Sequence, residues 1–179
     1  MEKRSSGGFS LIELLIVVAI ILIIAAIAIP DLLKSRQAAN QASAVGSLRT
    51  INTSEVAYST TYTTGFSADL QSLDGTVSPS TNVAAGLIDS ILGSGIKSNY
   101  NFIYGSNPAT PVAPFACVAV PVALGAAVAP AVGITYATYA IAANPLGCAS
   151  GNYYFSDMSG VIRMNNTAAA NTADSPLAG

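Results

Sequence analysis

The feature that most constrains this chain is the unbroken apolar run from Leu14 to Ile29. With Leu11 and Ile12 it forms a largely apolar stretch of about 20 residues, which as a helix is about 30 Å long. That length matches the hydrocarbon core of a bilayer. Glu13 lies inside the stretch, although a carboxylate within a membrane helix costs roughly 2.5–3.5 kcal/mol. The sequence therefore predicts a membrane segment in which one acid requires an explanation.

Two interpretations explain only part of this stretch. A secretory signal peptide would use Lys3 and Arg4 as its basic region and Ala26-Ile27-Ala28 as its cleavage site, but the apolar run is long for such a peptide. A plain membrane anchor explains the length and the basic flank. Neither explains Glu13, and its favourable position at the positive end of the helix dipole is usually worth less than about 1 kcal/mol.

A third interpretation accounts for every residue. The sequence Gly8-Phe9-Ser10-Leu11-Ile12-Glu13, preceded by a short basic leader, resembles the N-terminus of type IV prepilins. The resemblance implies that a prepilin peptidase cuts after Gly8 and methylates the new amino terminus of Phe9. It also implies that Glu13 pairs with this amine on a neighbouring subunit. Two unit charges about 4 Å apart attract by about 4 kcal/mol at an effective dielectric of about 20, which is comparable to the burial cost.

Pro30 follows the apolar run, and proline lacks the N–H that bonds four residues back in a helix. It marks the membrane boundary, and the pilin resemblance implies a helix bend there that takes part in assembly. Beyond Pro30 the chain becomes polar. Apolar residues then recur every three or four positions, which predicts an amphipathic helix: Ala38, Ala42, Val45, Leu48 and Ile51. We expect one helix over residues 9–62, with residues 9–29 as its membrane and assembly part.

The remainder predicts a small β-rich domain. Residues 63–98 are expected to form a loop with one short helix over Ala84–Leu92, capped by Asn82. From residue 99 the apolar period changes to two, which indicates strands. The predicted strands are Tyr100–Tyr104, Ile134–Ala143, Tyr153–Ser156 and Val161–Met164. Between the last two, Asp157-Met158-Ser159-Gly160 is typical of a tight turn.

Residues 99–179 form the predicted sheet domain. Its Pro/Ala-rich stretch 108–133 excludes a helix or central strand and predicts a surface loop with an edge strand near Cys117–Val120. The residues after Asn165 predict a flexible tail. The expected fold class is α+β, a long N-terminal α-helix with a membrane-embedded first half, packed on a small antiparallel sheet. Residues 139–163 also resemble the C-terminal sheet of several bacterial pilins.

Cys117 and Cys148 are the two cysteines of the chain, and an exported domain would place them in an oxidising compartment. Two reduced, buried thiols are the alternative. Pilins commonly fasten their C-terminal part with a cysteine pair, so the resemblance implies a disulfide between these two. A bridge closing a loop of about 30 residues would stabilise the fold by about 3–4 kcal/mol in the chain-entropy model.

The composition argues against catalysis and nucleic-acid binding. The chain has no histidine, which excludes Ser-His-Asp and Cys-His sites and imidazole metal centres. The carboxylates of the domain are scattered among predicted turns and caps: Asp69, Asp74, Asp89, Asp157 and Asp174. From residue 66 onward, two basic residues oppose these five acids, unlike the basic surface of a DNA-binding protein. We expect no enzyme activity, cofactor, metal or nucleic-acid partner.

The resemblance implies a structural subunit that polymerises with itself, through its apolar helix, into a type IV pilus. It would lie in the inner membrane before assembly and afterwards in an extracellular filament on the cell surface. The family also implies a motor ATPase, a platform protein and a secretin as partners. The alternatives are a pseudopilin of a type II secretion system and a minor pilin for adhesion or DNA uptake. Major pseudopilins carry a Trp-containing calcium-binding loop, and this chain has no tryptophan.

A membrane-anchored enzyme or binding protein that never polymerises is a further class, and leader processing separates it from the others. Mass spectrometry of material sheared from intact cells should find a chain that begins at N-methylated Phe9. The same peptide found only in membranes would favour a pseudopilin or an unassembled subunit. A start at Met1 or Ile29 would contradict the pilin interpretation.

Overall fold

The structure is a computed structural model that describes residues 9–75, 80–107, 136–148, 151–167 and 169–177. Its helices are α1 (Leu11–Tyr62), α2 (Leu70–Leu73) and α3 (Ser90–Gly93). Its strands are β1 (Ile96–Lys97), β2 (Tyr100–Asn107), β3 (Thr138–Pro145), β4 (Tyr153–Asp157) and β5 (Arg163–Asn165). The chain divides into two units, Met1–Ala39 and Asn40–Gly179.

The first unit contains the N-terminal part of α1. Its large apolar side chains are exposed from Leu11 through Leu33. The most apolar 18 residues of the helix have a mean hydropathy of 3.3, so the helix is long and apolar enough to cross a membrane. The helix continues through Pro30, because proline removes one donor from a ladder of many hydrogen bonds. The predicted helix over residues 9–62 is confirmed to within two residues at its start.

In the second unit, one face of α1 packs against the sheet. Ala44, Leu48 and Ile51 are fully buried, at the three- and four-residue spacing of a helix face. They belong to one cluster with Phe102 on β2 and Ile141 on β3. Burying each large apolar side chain stabilises the unit by about 1.5–3 kcal/mol, so this face holds the helix on the sheet.

The sheet is antiparallel throughout, with the strand order β1-β2-β3-β4-β5. In the central pair, Tyr100 lies opposite Pro145 and Asn107 lies opposite Thr138. Successive side chains of a strand point to opposite faces, so the sheet has a second apolar cluster, formed by Ala140, Tyr153, Phe155 and Ala170. The predicted α+β fold, a long helix on a small antiparallel sheet, is confirmed.

The predicted strand Ile134–Ala143 corresponds to β3, but β3 begins at Thr138. Tyr136 instead forms an isolated parallel bridge with Gly65. The Tyr136 N–H donates to the Thr64 carbonyl (3.1 Å), and the Phe66 N–H donates to the Tyr136 carbonyl (2.9 Å). Residues before Tyr136 lie outside the described residues. Tyr136 therefore holds the segment that follows α1 and does not extend β3.

The predicted helix over Ala84–Leu92 is wrong in extent. The Leu87 N–H donates to the Leu73 carbonyl (2.7 Å) at the end of α2. This N–H therefore bonds to another segment and not to a carbonyl four residues back, as it would in a helix. The four-residue α3 starts only after Asp89, whose carboxylate accepts the Leu92 N–H (2.9 Å). The expected cap, Asn82, has another role, because its carbonyl accepts the Tyr58 hydroxyl (2.6 Å).

The tight turn predicted over Asp157–Gly160 is present. The Gly160 N–H donates to the Asp157 carbonyl (2.9 Å), and the Asp157 carboxylate accepts the Ser159 N–H (2.9 Å). Gly160 has φ of 71°, in the left-handed region that glycine adopts without strain. This turn joins β4 to the segment that leads into β5.

The flexible tail predicted after Asn165 is instead bound along β5. The Leu177 N–H donates to the Ile162 carbonyl (2.7 Å), and the Met164 N–H donates to the Ser175 carbonyl (3.1 Å). Ala170 is fully buried. An edge strand presents unpaired N–H and C=O groups, which explains how a tail of small residues can attach. The predicted loop 108–133 and its edge strand near Cys117–Val120 lie outside the described residues.

Two buried tyrosines support the sheet. The Tyr100 hydroxyl donates to the Asn152 carbonyl (2.9 Å), and its ring centroid lies 6.0 Å from that of Tyr154. The ring of Tyr139 meets that of Phe66 edge-on, with a centroid separation of 4.7 Å. Burial raises the pKa of both phenols, helped by Tyr154 and Tyr153 at Tyr100 and by Glu55 and Asp157 at Tyr139. Both phenols therefore stay protonated at pH values where an exposed phenol ionises.

The buried face of α1 can be tested by replacing Ile51 with alanine. Because this side chain is fully buried, Ile51→Ala should lower the free energy of unfolding by about 2–5 kcal/mol. The matched control is Ile91→Ala, at a side chain that is 64% exposed, which should cost less than about 1 kcal/mol. Denaturant unfolding of the full chain in detergent micelles, followed by tyrosine fluorescence, measures both. Equal losses would contradict the described packing.

The buried phenols predict a loss of stability in alkali. Their raised pKa values contribute stability that is present below the usual phenol pKa of about 10 and is lost as pH rises through the folded values. Phenolate absorbance of the full chain should show late-ionising groups. Compared with the unaltered chain, Tyr100→Phe should lose phenolate absorbance only in the most alkaline part of the titration. A loss of amplitude near pH 10 instead would show that Tyr100 ionises normally.

Candidate functional site

The first turn of α1 is built around Ser10 and Glu13. The Ser10 carbonyl accepts the N–H groups of Glu13 (3.1 Å) and Leu14 (3.3 Å). In the opposite direction, Glu13 Oε2 accepts the Ser10 backbone N–H (3.2 Å). A glutamate that reaches back to the N–H of a serine three residues earlier is half of a capping box. The carboxylate thus satisfies one of the donors that a helix start leaves unpaired.

This geometry leaves Glu13 able to bind a second group. An ionised carboxylate offers about four acceptor positions, and the bond to Ser10 uses one of them. Negative charge in the first turn is also favoured by the helix dipole. The arrangement can therefore cap its own helix and accept a cation from another molecule at the same time.

The other predicted assembly residues are distributed as follows. Phe9 is 77% exposed and directly precedes Ser10. Gly8 lies outside the described residues. Pro30 is on the same helix, about 25 Å along its axis from Glu13 at about 1.5 Å per residue. The structure therefore brings Phe9 and Glu13 to one helix end and leaves Pro30 apart from them.

The apolar surface of α1 is the largest feature of the first unit. From Phe9 to Leu33, between 47% and 80% of each large apolar residue is exposed. Soluble monomers rarely expose an apolar surface of this kind, which marks membrane or protein contact. Chemically, this surface can be covered only by lipid or by other apolar side chains.

The predicted cysteine pair is not tested by the geometry. Cys148 ends the 3-10 turn Leu146–Cys148 that follows β3. Cys117 lies outside the described residues. The disulfide stays a prediction.

The scattered aspartates serve local structure where they are described. The Asp69 carboxylate caps α2 by accepting the Ser72 N–H (2.7 Å). Asp89 caps α3 and also pairs with Lys97 (2.8 Å). The hydrogen bond from Lys97, with that from the Leu92 N–H, lowers the pKa of Asp89. Within the described part of the chain, no group of three or more Cys, Asp or Glu residues is placed to hold a metal ion.

Glu55 is a buried acid that no sequence pattern singled out. This residue is fully buried, with Oε2 accepting the Ser67 N–H (2.9 Å) and Oε1 accepting the Ser67 hydroxyl (2.5 Å). Tyr104 also hydrogen-bonds the carboxyl group. Burial raises the pKa of Glu55, and these hydrogen bonds oppose the rise. The available signal was spacing, because Glu55 is four residues after Ile51, on the buried face of α1.

Comparison with known proteins adds to this geometry. Residues 3–29 match the family model of the prokaryotic N-terminal methylation motif. The chain is also 62% identical over 37 residues to the type IV wide pilus major component PilA4 of Thermus thermophilus. That match covers 21% of this chain and 28% of the relative, so it spans less than a third of the relative's length. No solved structure matches the chain.

The methylation motif includes Gly8, Phe9 and Glu13, the residues on which the prepilin resemblance rests. Beyond it, the long helix that begins apolar and then packs on a small antiparallel sheet is a pilin-like architecture. The N-terminal methylation motif and the partial match to a type IV pilin thus support the prepilin resemblance of this chain.

Proposed function

We propose that this chain is a structural subunit that polymerises through α1 into a type IV pilus filament. The observation that carries the proposal is the exposed apolar surface of α1, which begins beside a single acid at the helix start. A membrane anchor needs only the apolar surface. Assembly also gives the acid a role, as the partner of a cation on a neighbouring subunit.

The driving force follows from the medium around α1. In a bilayer, lipid covers its side chains, and in a filament surrounded by water, other α1 helices replace the lipid. Burial of apolar surface is favourable by roughly 25 cal/mol per Å². Side-chain packing alone is similar in lipid and in protein, so an additional interaction is needed to choose the register of a new subunit.

Glu13 supplies that interaction in the proposed mechanism. Cleavage after Gly8 would leave a methylated, cationic amine on Phe9. The carboxylate of an incoming subunit, already oriented by its bond to Ser10, would pair with the Phe9 amine of a subunit in the filament. Because both groups lie at helix starts within apolar surroundings, their attraction is screened less than on a protein surface. Pro30 would allow α1 to adjust as the subunit is packed.

The proposed partners and location follow from assembly. A prepilin peptidase would process the leader in the inner membrane, and a motor ATPase, a platform protein and a secretin would move subunits into a filament on the cell surface. The relative in Thermus thermophilus is described as the major component of a wide pilus, which supports a pilus subunit over a pseudopilin. A disulfide between Cys117 and Cys148 would fasten the chain that follows β3.

Two substitutions at Glu13 separate charge pairing from helix capping. Glutamine at this position of a capping box can still accept the serine N–H, but it carries no charge, whereas alanine loses both functions. If the charge pair drives assembly, Glu13→Gln and Glu13→Ala should both reduce the subunit in sheared filaments at least about tenfold, since 1.4 kcal/mol is a factor of ten. Immunoblots of sheared and membrane fractions measure the distribution.

The controls are leader processing and Ser10→Ala. Mass spectrometry should find both Glu13 variants cleaved after Gly8 and present in the membrane. Ser10→Ala removes the serine hydroxyl while it keeps the acid and the backbone N–H that binds it, so it should assemble much better than either Glu13 variant. Normal filaments from Glu13→Gln would refute the charge-pairing mechanism and leave capping as the role of this residue.

A further inference from the structure

The segment that follows α1, residues 64–69, is held on the second unit largely by polar contacts. Ser67 is fully buried, and its N–H and hydroxyl both bind the Glu55 carboxyl group. The Tyr104 hydroxyl donates to the Ser67 carbonyl (3.0 Å), and the Ser106 hydroxyl donates to the Ala68 carbonyl (2.8 Å). Ser67 therefore joins α1 to β2 through one buried point.

Among the described residues, no cationic side chain is a hydrogen-bond, ion-pair or electrostatic partner of Glu55. The titratable groups that interact with it are Tyr58 on α1, Tyr104 on β2 and Tyr139 on β3. In the segment itself, Asp69 acts electrostatically on Tyr58. Each of these groups changes from neutral to negative when it loses its proton. None of them therefore supplies a positive charge to an ionised Glu55. A buried carboxylate without a cation is costly.

The same geometry suits a neutral carboxyl group. A protonated Glu55 could donate to the Ser67 hydroxyl oxygen, since these oxygens are 2.5 Å apart. The Ser67 hydroxyl could then donate to the Asp69 carbonyl, which lies 3.0 Å away. The Ser67 N–H would still bind the other carboxyl oxygen (2.9 Å). Each polar atom of the pair then has a partner without any buried charge.

We propose that Glu55 and Ser67 form a proton-dependent latch that fixes residues 64–69 to α1. With the proton bound, the carboxyl group stays buried and the segment is held. When the proton leaves at higher pH, hydration of the charge favours local opening around Ser67. Opening would also loosen the contact of this segment with Tyr136, whose carbonyl accepts the Phe66 N–H. The latch does not depend on filament assembly.

The direction of the pH dependence follows from linkage. Burial places the pKa of Glu55 above its usual value of 4.5 in the folded chain. Between the usual and the raised value, the folded state holds a proton that the opened state has lost. The contribution to stability is therefore complete below pH 4.5 and is lost as pH rises through the folded pKa.

Residue-resolved amide hydrogen exchange of the full chain in detergent micelles tests the latch. After correction for intrinsic exchange, protection of the Ser67 N–H should fall by up to about tenfold for each pH unit between the usual and the folded pKa of Glu55, and should level off above the folded pKa, while opening remains local. The Phe102 N–H, which donates to the Gly95 carbonyl within the sheet region (2.7 Å), is the internal control. Constant protection at Ser67 from about pH 5 to about pH 9 would overturn the proposal.

The matched variant is Glu55→Gln, because a neutral amide can accept the Ser67 N–H and donate to its hydroxyl oxygen, as the protonated acid does. Protection at Ser67 should then be independent of pH. The same pH-dependent fall in this variant would assign the effect to another group.

A measurement on the unaltered sequence guards against misfolding of that variant. The chain has three glutamates, Glu2, Glu13 and Glu55, so labelling glutamate with carbon-13 gives few carboxyl NMR signals. The Glu55 signal, assigned by its absence in Glu55→Gln, should titrate above pH 4.5. Titration at or below that value would overturn the latch.

Discussion

The structure depends on the way one helix meets two different surroundings. Over its first part, α1 exposes apolar side chains that water cannot cover favourably. Over its second part, Leu48, Ile51 and their neighbours are buried against the sheet. The first part alone would require lipid or other helices, and the second part gives a folded unit its core. The change from an apolar surface to an amphipathic one therefore separates the part of α1 that needs lipid or other helices from the part that packs on the chain's own sheet.

Much of this organisation was accessible from the sequence because it rests on periodicity and length. The apolar run, the buried positions of α1 and the alternation in β2 each reflect a repeating geometry that local residues reveal. The first turn was also accessible, because Glu13 is anomalous in an apolar run. Its bond to the Ser10 N–H was not anticipated, although serine followed three residues later by glutamate is itself a capping pattern.

The features that sequence missed are set by contacts between distant segments. The residues before α3 have helical spacing, but the Leu73 carbonyl captures the Leu87 N–H. The tail after β5 is small and polar, yet the open strand edge gives its backbone partners. Glu55 looks like one more polar helix residue until Ser67 and Tyr104 are brought to it. In each case a tertiary partner overrides the local preference.

The start of α1 at Leu11 has a consequence for proteolysis. The first helical residue is Leu11, so the bond that a prepilin peptidase would cut, between Gly8 and Phe9, precedes the helical hydrogen-bond ladder. Proteases bind substrates as extended backbone, and a scissile bond inside a stable helix would first have to be unwound. Cleavage at this bond would leave α1 intact. The new amino terminus would then lie one residue before Ser10, whose N–H binds the Glu13 carboxylate.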